Sequence, residues 1–107
     1  MLTLLPGARA EARFTIGADH PSLPGHFPGA PVVPGVVILD EVLAGLQLPA
    51  GEPVALPSVK FVRPLLPGQI AIIEYKGEAA QIRFSVSHDG ELLASGLVRR
   101  AGPVAPR

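Results

Sequence analysis

Three side chains of this 107-residue sequence are typed and spaced to move protons. His26 sits in the loop "LPGHFPGAPVVPG", and the adjacent acids Asp40 and Glu41 follow in an otherwise apolar stretch. Imidazole, with an ordinary pKa of about 6.5, accepts a proton at neutral pH. An aspartate in water, at about 3.9, is too ionised to donate one, but apolar surroundings favour its neutral form. Held together, such a pair makes a general base and a general acid. Each residue also has a plainer reading. A lone loop histidine is often solvated or structural, and Asp40 could pair with a neighbour's arginine. An unpaired acid on an apolar helix is costly, which argues for a purpose. Glu41, about 100° further round a helix, reads as reaching solvent or a salt bridge and is the rival acid.

The remaining chemistry-bearing residues point elsewhere. His20 and His88 stand beside Asp19 and Asp89 in turn contexts and read as solvated turn residues. No two histidines share an i, i+4 helical spacing, so no metal site is expected. The absence of cysteine removes disulfides, thiolate catalysis and thiolate metal ligands together, and fits a reducing compartment. Lys60, Arg63, Arg99 and Arg100 could meet a phosphate or an acidic partner, or simply solvate the surface.

The elements that would hold these residues follow from periodicity and punctuation. Ala12 to Ala18 reads as a half-buried strand, with Phe14 and Ile16 facing one way and Arg13 and Thr15 the other. Residues 21–34 hold too many prolines for a helix or a sheet interior and form an ordered crossing. Gly35 to Leu48 has no proline, is opened by Pro-Gly and closed by Pro49, and reads as one helix. It is apolar nearly all round, and its Val36-Val37-Ile38 run has poor helix propensity, so tertiary burial must hold it. After a Pro/Gly-rich link from 49 to 57, strands are expected at Ser58–Val62, Gln69–Lys76, Gln81–Ser87 and Leu92–Arg99. Asp89-Gly90 is a tight hairpin turn, and residues 101–107 a loose tail.

The totals bound the class. With 48% apolar residues the chain can bury a core as one domain, residues 1–107. Nine cationic and nine acidic residues cancel, which gives no electrostatic case for nucleic acid or a membrane as partner. The first residues lack a signal peptide's basic and apolar regions, no run is long enough to span a bilayer, and a cytoplasmic protein is expected. One helix apolar on all sides is best buried by a curled antiparallel sheet, and the edges that remain suggest a dimer.

The run from His26 to Asp40, "HFPGAPVVPGVVILD", resembles the signature of the 3-hydroxyacyl-acyl carrier protein dehydratases of the FabZ and FabA group. "VKFVRPLLPG", from Val59 to Gly68, and "DGELLA", from Asp89 to Ala94, are similar to that family's later strand and last hairpin. The likeness extends from Phe14 to Arg99. It implies an α+β hotdog fold, a curled antiparallel β-sheet wrapped around one central apolar α-helix. The short chain and the "LDEVL" run further resemble the compact dehydratases of aryl polyene biosynthesis. Departures from the family pattern are the missing helical insert, Ala44 where many members carry glutamine, and the second acid Glu41.

The resemblance implies an enzyme that removes water from 3-hydroxyacyl thioesters, on acyl carrier protein, without cofactor. The catalytic histidine falls on His26 and the catalytic acid on Asp40, one from each chain of a homodimer. The charge that builds on the thioester oxygen needs a donor, and the backbone N–H of Gly35, at the positive end of the helix, could supply it. Phe27, Pro34 and Val36 of the motif would line the substrate. Two other functions stay open: a hotdog thioesterase, in which the acid activates water, and a non-catalytic acyl-binding or partner subunit.

Overall fold

The structure, a computed structural model, describes residues 8–17, 19, 32–48, 51–77 and 80–100. Their order is β1 (Ala8–Thr15), α1 (Gly35–Leu46), β2 (Val54–Phe61), β3 (Ile70–Gly77), β4 (Gln81–His88) and β5 (Glu91–Arg100). The five strands make one antiparallel sheet in the order β1-β3-β4-β5-β2. The strand before the helix and the strand after it therefore occupy opposite edges, and the chain between them must cross one face of the sheet.

Alternation decides which face the helix takes. Ile82, Phe84 and Val86 of β4 are buried, as are Ala71, Ile73 and Tyr75 of β3, while Gln81, Arg83, Glu74 and Lys76 are exposed. The buried row packs against Val37, Ile38, Val42 and Leu46 of α1 in one core. A Cβ on Gly35 would meet the Phe61 ring of β2, and one on Gly45 would meet Tyr75 of β3 and Ala12 of β1. The helix thus runs across the sheet from the β2 edge at its start to the β1 edge at its end.

The chain returns from β2 to β3 along one end of the sheet through residues 62–69. Among the described residues, four backbone hydrogen bonds tie that passage to its neighbours: Val62 and Arg63 N–H donate to the Leu93 carbonyl at 2.7 and 3.2 Å, Gly68 N–H to the Ile16 carbonyl at 2.8 Å, and Val33 N–H to the Leu65 carbonyl at 2.8 Å. Gly68 takes a φ of 86°, which the turn requires. Leu65, fully buried, plugs the core under the entry to α1. At the opposite end of the sheet Arg100 clamps Glu52 of the α1–β2 connection, its Nε and Nη2 donating at 2.7 and 2.6 Å to the two carboxylate oxygens.

Several boundaries differ from those the sequence suggests. β1 begins at Ala8, four residues before the expected Ala12, and ends at Thr15, because all eight of its residues pair with β3. α1 ends at Leu46, with Gln47 in the left-handed conformation at φ 53°. β2 begins at Val54 and includes Pro57. An edge strand tolerates that proline, and the register shifts between Ala55 and Ser58 where it sits. The hairpin at Asp89 and Gly90, with φ of 48° and 80°, takes the expected form and pairs His88 with Glu91. Most of the proline-rich crossing, residues 20–31, and the tail lie outside the described residues.

Candidate active site

The site is built around the start of α1. Pro34 is the N-cap residue, extended at φ −60° and ψ 145°, and its carbonyl accepts from the N–H groups of Val37 and Ile38 at 3.0 and 3.3 Å. A proline cap provides no side-chain acceptor, and among the described residues no acceptor faces the Gly35 N–H. That donor, at the positive end of the helix, is available to a ligand oxygen. Glycine lets the Phe61 ring lie close: a Cβ would stand 2.8 Å from its Cζ, and the ring would have to shift. Val32, Val33, Gly35, Ile38 and Phe61 wall an apolar groove of about 460 Å³ that continues along Val62 to Leu65.

Asp40 stands five residues after Gly35, about 7.5 Å further along the helix axis. It is exposed, as are Val36 one turn before it and Ala44 one turn after it. Val36 is 65% exposed. The expectation that Asp40 lies buried is therefore corrected for the single chain. The sheet covers only the face bearing Val37, Ile38, Val42 and Leu46, leaving an outer stripe of Val36, Asp40 and Ala44. Of the expected site residues, Pro34, Gly35, Val36 and Asp40 come together on this helix start. His26 and Phe27, like His20, lie outside the described residues.

Glu41 does not simply face water. It is half-buried, and its charge adds to the effect of burial in pushing the Tyr75 phenol above its ordinary pKa, burial being the larger cause. Tyr75 is the residue the sequence reading missed. Its ring is fully buried and its hydroxyl donates to the Val42 carbonyl at 2.6 Å, two residues beyond Asp40. The available signal was Gly45, a glycine in the last turn of α1 where alanine is the better helix former.

The other candidates are settled individually. His88 is not a solvated turn residue: its Nδ1 lies 2.8 Å from the Ile70 carbonyl and donates to it, and its Nε2 lies 3.4 Å from Asp89. Of the four cations considered for docking, Arg100 is committed to Glu52 and Arg63 lies 3.4 Å from Glu91, whereas Lys60 and Arg99 are exposed on the outer sheet face.

With this geometry in view, the comparison with known proteins is decisive. The sequence model of the ApeI-like family, described as ApeI dehydratase, matches residues 5–97. The chain belongs to the ApeI-like dehydratase family. This dehydratase is 30% identical over 116 residues to the 3-hydroxyacyl-[acyl-carrier-protein] dehydratase FabZ of Acetivibrio thermocellus, over 94% of this chain and 80% of the relative. Its structure matches a chain of the dehydratase heterocomplex ApeI:P from Xenorhabdus doucetiae with a TM-score of 0.74 and 25% identity, over 86% of each chain. The (R)-hydratase from A. caviae involved in PHA biosynthesis matches at a TM-score of 0.67 and 20% identity, over 96% of this chain and all of that one, a likeness of fold alone. The dehydratase thus has the expected hotdog architecture, and its resemblance to the FabZ group is borne out at the level of family and enzyme class.

Proposed function

We propose that this dehydratase converts (3R)-hydroxyacyl thioesters, carried on acyl carrier protein, to trans-2-enoyl thioesters, at a site completed by a second chain. His26 removes a proton from C2. The negative charge that moves onto the thioester oxygen is met by the Gly35 N–H. Asp40 gives its proton to the hydroxyl on C3, which leaves as water as the C2–C3 double bond forms. A positioned acid or base of this kind contributes roughly 10² to 10⁴-fold.

The observation that carries this reading is the placement of Asp40 on the outer stripe of α1, a turn and a half from a helix N-terminus that has no acceptor among the described residues and opens on an apolar groove. Within one chain that carboxyl is wet. Val36, Phe61 and Val62 are exposed apolar neighbours of the same region, and β2 is an edge strand of the sheet among the described residues. A second copy laid on this surface would cover the stripe, shield Asp40 from water and bring in its own His26. That supports a homodimer with two sites. The family relative whose structure is a heterocomplex supports weighing a different second subunit too, and the mass of the purified assembly distinguishes the two.

The test is an assay with 3-hydroxyacyl and enoyl carrier-protein thioesters, following water loss, water addition and free thiol. His26→Ala and Asp40→Asn are expected to abolish water loss, and Glu41→Gln to leave it. Release of free thiol would instead identify a thioesterase. Loss of activity in Glu41→Gln but not in Asp40→Asn would make Glu41 the acid.

A further inference from the structure

Two features of the buried side of α1 are each unfavourable alone. A phenol hydroxyl deep in the core must find a partner, which a phenylalanine at position 75 would not require. Glycine at position 45, in the last turn of α1, is a poorer helix former than alanine. The structure shows why they occur together. The Tyr75 hydroxyl reaches the helix backbone through the gap that Gly45 leaves, since a Cβ there would collide with Tyr75 Oη.

What the pair achieves is direction. Apolar burial is non-directional, so the contacts between α1 and the sheet define the helix's orientation less sharply than a directional bond does. The helix also has little of its own to fix it: no side-chain cap, no acid in its first turn and no base in its last. A 2.6 Å hydrogen bond from β3 to the Val42 carbonyl adds a directional tie between the sheet and the helix backbone. Val42 is two residues from Asp40, about 3 Å along the same rigid rod, so whatever fixes one fixes the other.

We propose that Tyr75, with Gly45 as its receptacle, is a positioning residue that sets where Asp40 stands relative to the reacting atoms. This rests on the reading of Asp40 as the acid. Displacement of a reacting group by about 1 Å can cost up to roughly 10²-fold in rate, whereas substrate binding in the groove at the helix start is left in place.

The experiment measures kcat and KM on a 3-hydroxyacyl carrier-protein thioester, with thermal unfolding, for Tyr75→Phe, Gly45→Ala, the double variant and Asp40→Asn. Tyr75→Phe keeps the ring and so the packing. It is expected to lower kcat by roughly 10-fold to 100-fold with KM within about twofold. Gly45→Ala forces a methyl group onto the hydroxyl and is expected to be worse than Tyr75→Phe. Removing the hydroxyl relieves that collision, so the double variant should regain stability and kcat relative to Gly45→Ala. Unchanged kcat in Tyr75→Phe with an inactive Asp40→Asn overturns the positioning role alone. Wild-type kcat in Asp40→Asn removes the reading of Asp40 and the proposal with it. A double variant no better than Gly45→Ala shows that the two positions do not act through this contact, and overturns the pairing.

Discussion

Arg100 and Glu52 grip one another through two hydrogen bonds of 2.7 and 2.6 Å, the forked geometry of guanidinium on carboxylate, and join the last strand to the loop that follows the helix. The hydrogen bond from Arg100 holds the Glu52 carboxyl below its ordinary pKa of 4.5. A lowered pKa means that the unfolded chain binds the proton more readily, so this stabilisation is present above the ordinary value and is lost as pH falls through the folded one. Glu52→Gln is expected to lower Tm at pH 7 and to flatten its fall on the acid side, as measured by thermal unfolding from pH 3 to 7. A parallel acid limb in both proteins would show that the clamp does not contribute.

The phenol of Tyr75 gives the opposite limb. Its pKa is raised above the ordinary 10, chiefly by burial and then by the charge of Glu41. The folded chain therefore keeps this proton where the unfolded chain releases it. The stabilisation is complete below pH 10 and declines as pH rises beyond it toward the folded value. Alkaline denaturation of the wild type should steepen above about pH 10, and Tyr75→Phe should lack that component.

Leu65 was legible only as part of a turn, yet it is fully buried where the return to β3 passes beneath the helix start. Truncation would leave a cavity under Val33 and Gly35, the residues that present the proposed oxyanion donor. Leu65→Ala should cost about 2–5 kcal/mol by denaturant titration. A loss under 1 kcal/mol, on the same scale, would mean that the passage is looser than its four hydrogen bonds indicate.

Gly96 is held to glycine from two sides. A Cβ there would stand 2.5 Å from the Ser58 carbonyl oxygen and 2.7 Å from Phe84 Cζ. Gly96→Ala must push β2 from β5 or tilt the Phe84 ring, an overpacking cost of about 1–3 kcal/mol. Because Val59 pairs with Gly96 and Phe61 with Ala94, the displacement reaches the groove wall. A fall in denaturation midpoint together with faster amide exchange in residues 58–61 is expected.

These positions show what could be read from the sequence and what could not. The β4 alternation and the Asp89-Gly90 turn are local signals, and the structure reproduces them because period and turn chemistry depend on neighbours in sequence. The start of α1 at Gly35 was equally legible from its Pro-Gly opening. The extent of β1 was not, since Ala8 to Glu11 joins a strand only because β3 runs the whole way beside it. Pro57 argued against a strand until β2 proved to be an edge. Asp40 was correctly set on an apolar helix, but the degree of its burial depends on a surface that one chain does not supply. The Tyr75 to Val42 link joins positions 33 residues apart, and only the odd placement of Gly45 hinted at it.

The outer stripe of α1 yields the last prediction. Val36 is 65% exposed, so the single chain has nothing to lose when a charge replaces it. If a second copy covers the stripe, Val36→Glu buries an unpaired carboxylate at the interface, and that desolvation penalty opposes association. The variant should keep its fold by circular dichroism and sediment as a smaller species than the wild type at equal concentration. Raising its concentration should restore the larger species. A Val36→Glu protein that sediments like the wild type would show that the stripe stays wet in the working enzyme, and the shielding proposed for Asp40 would then have no source.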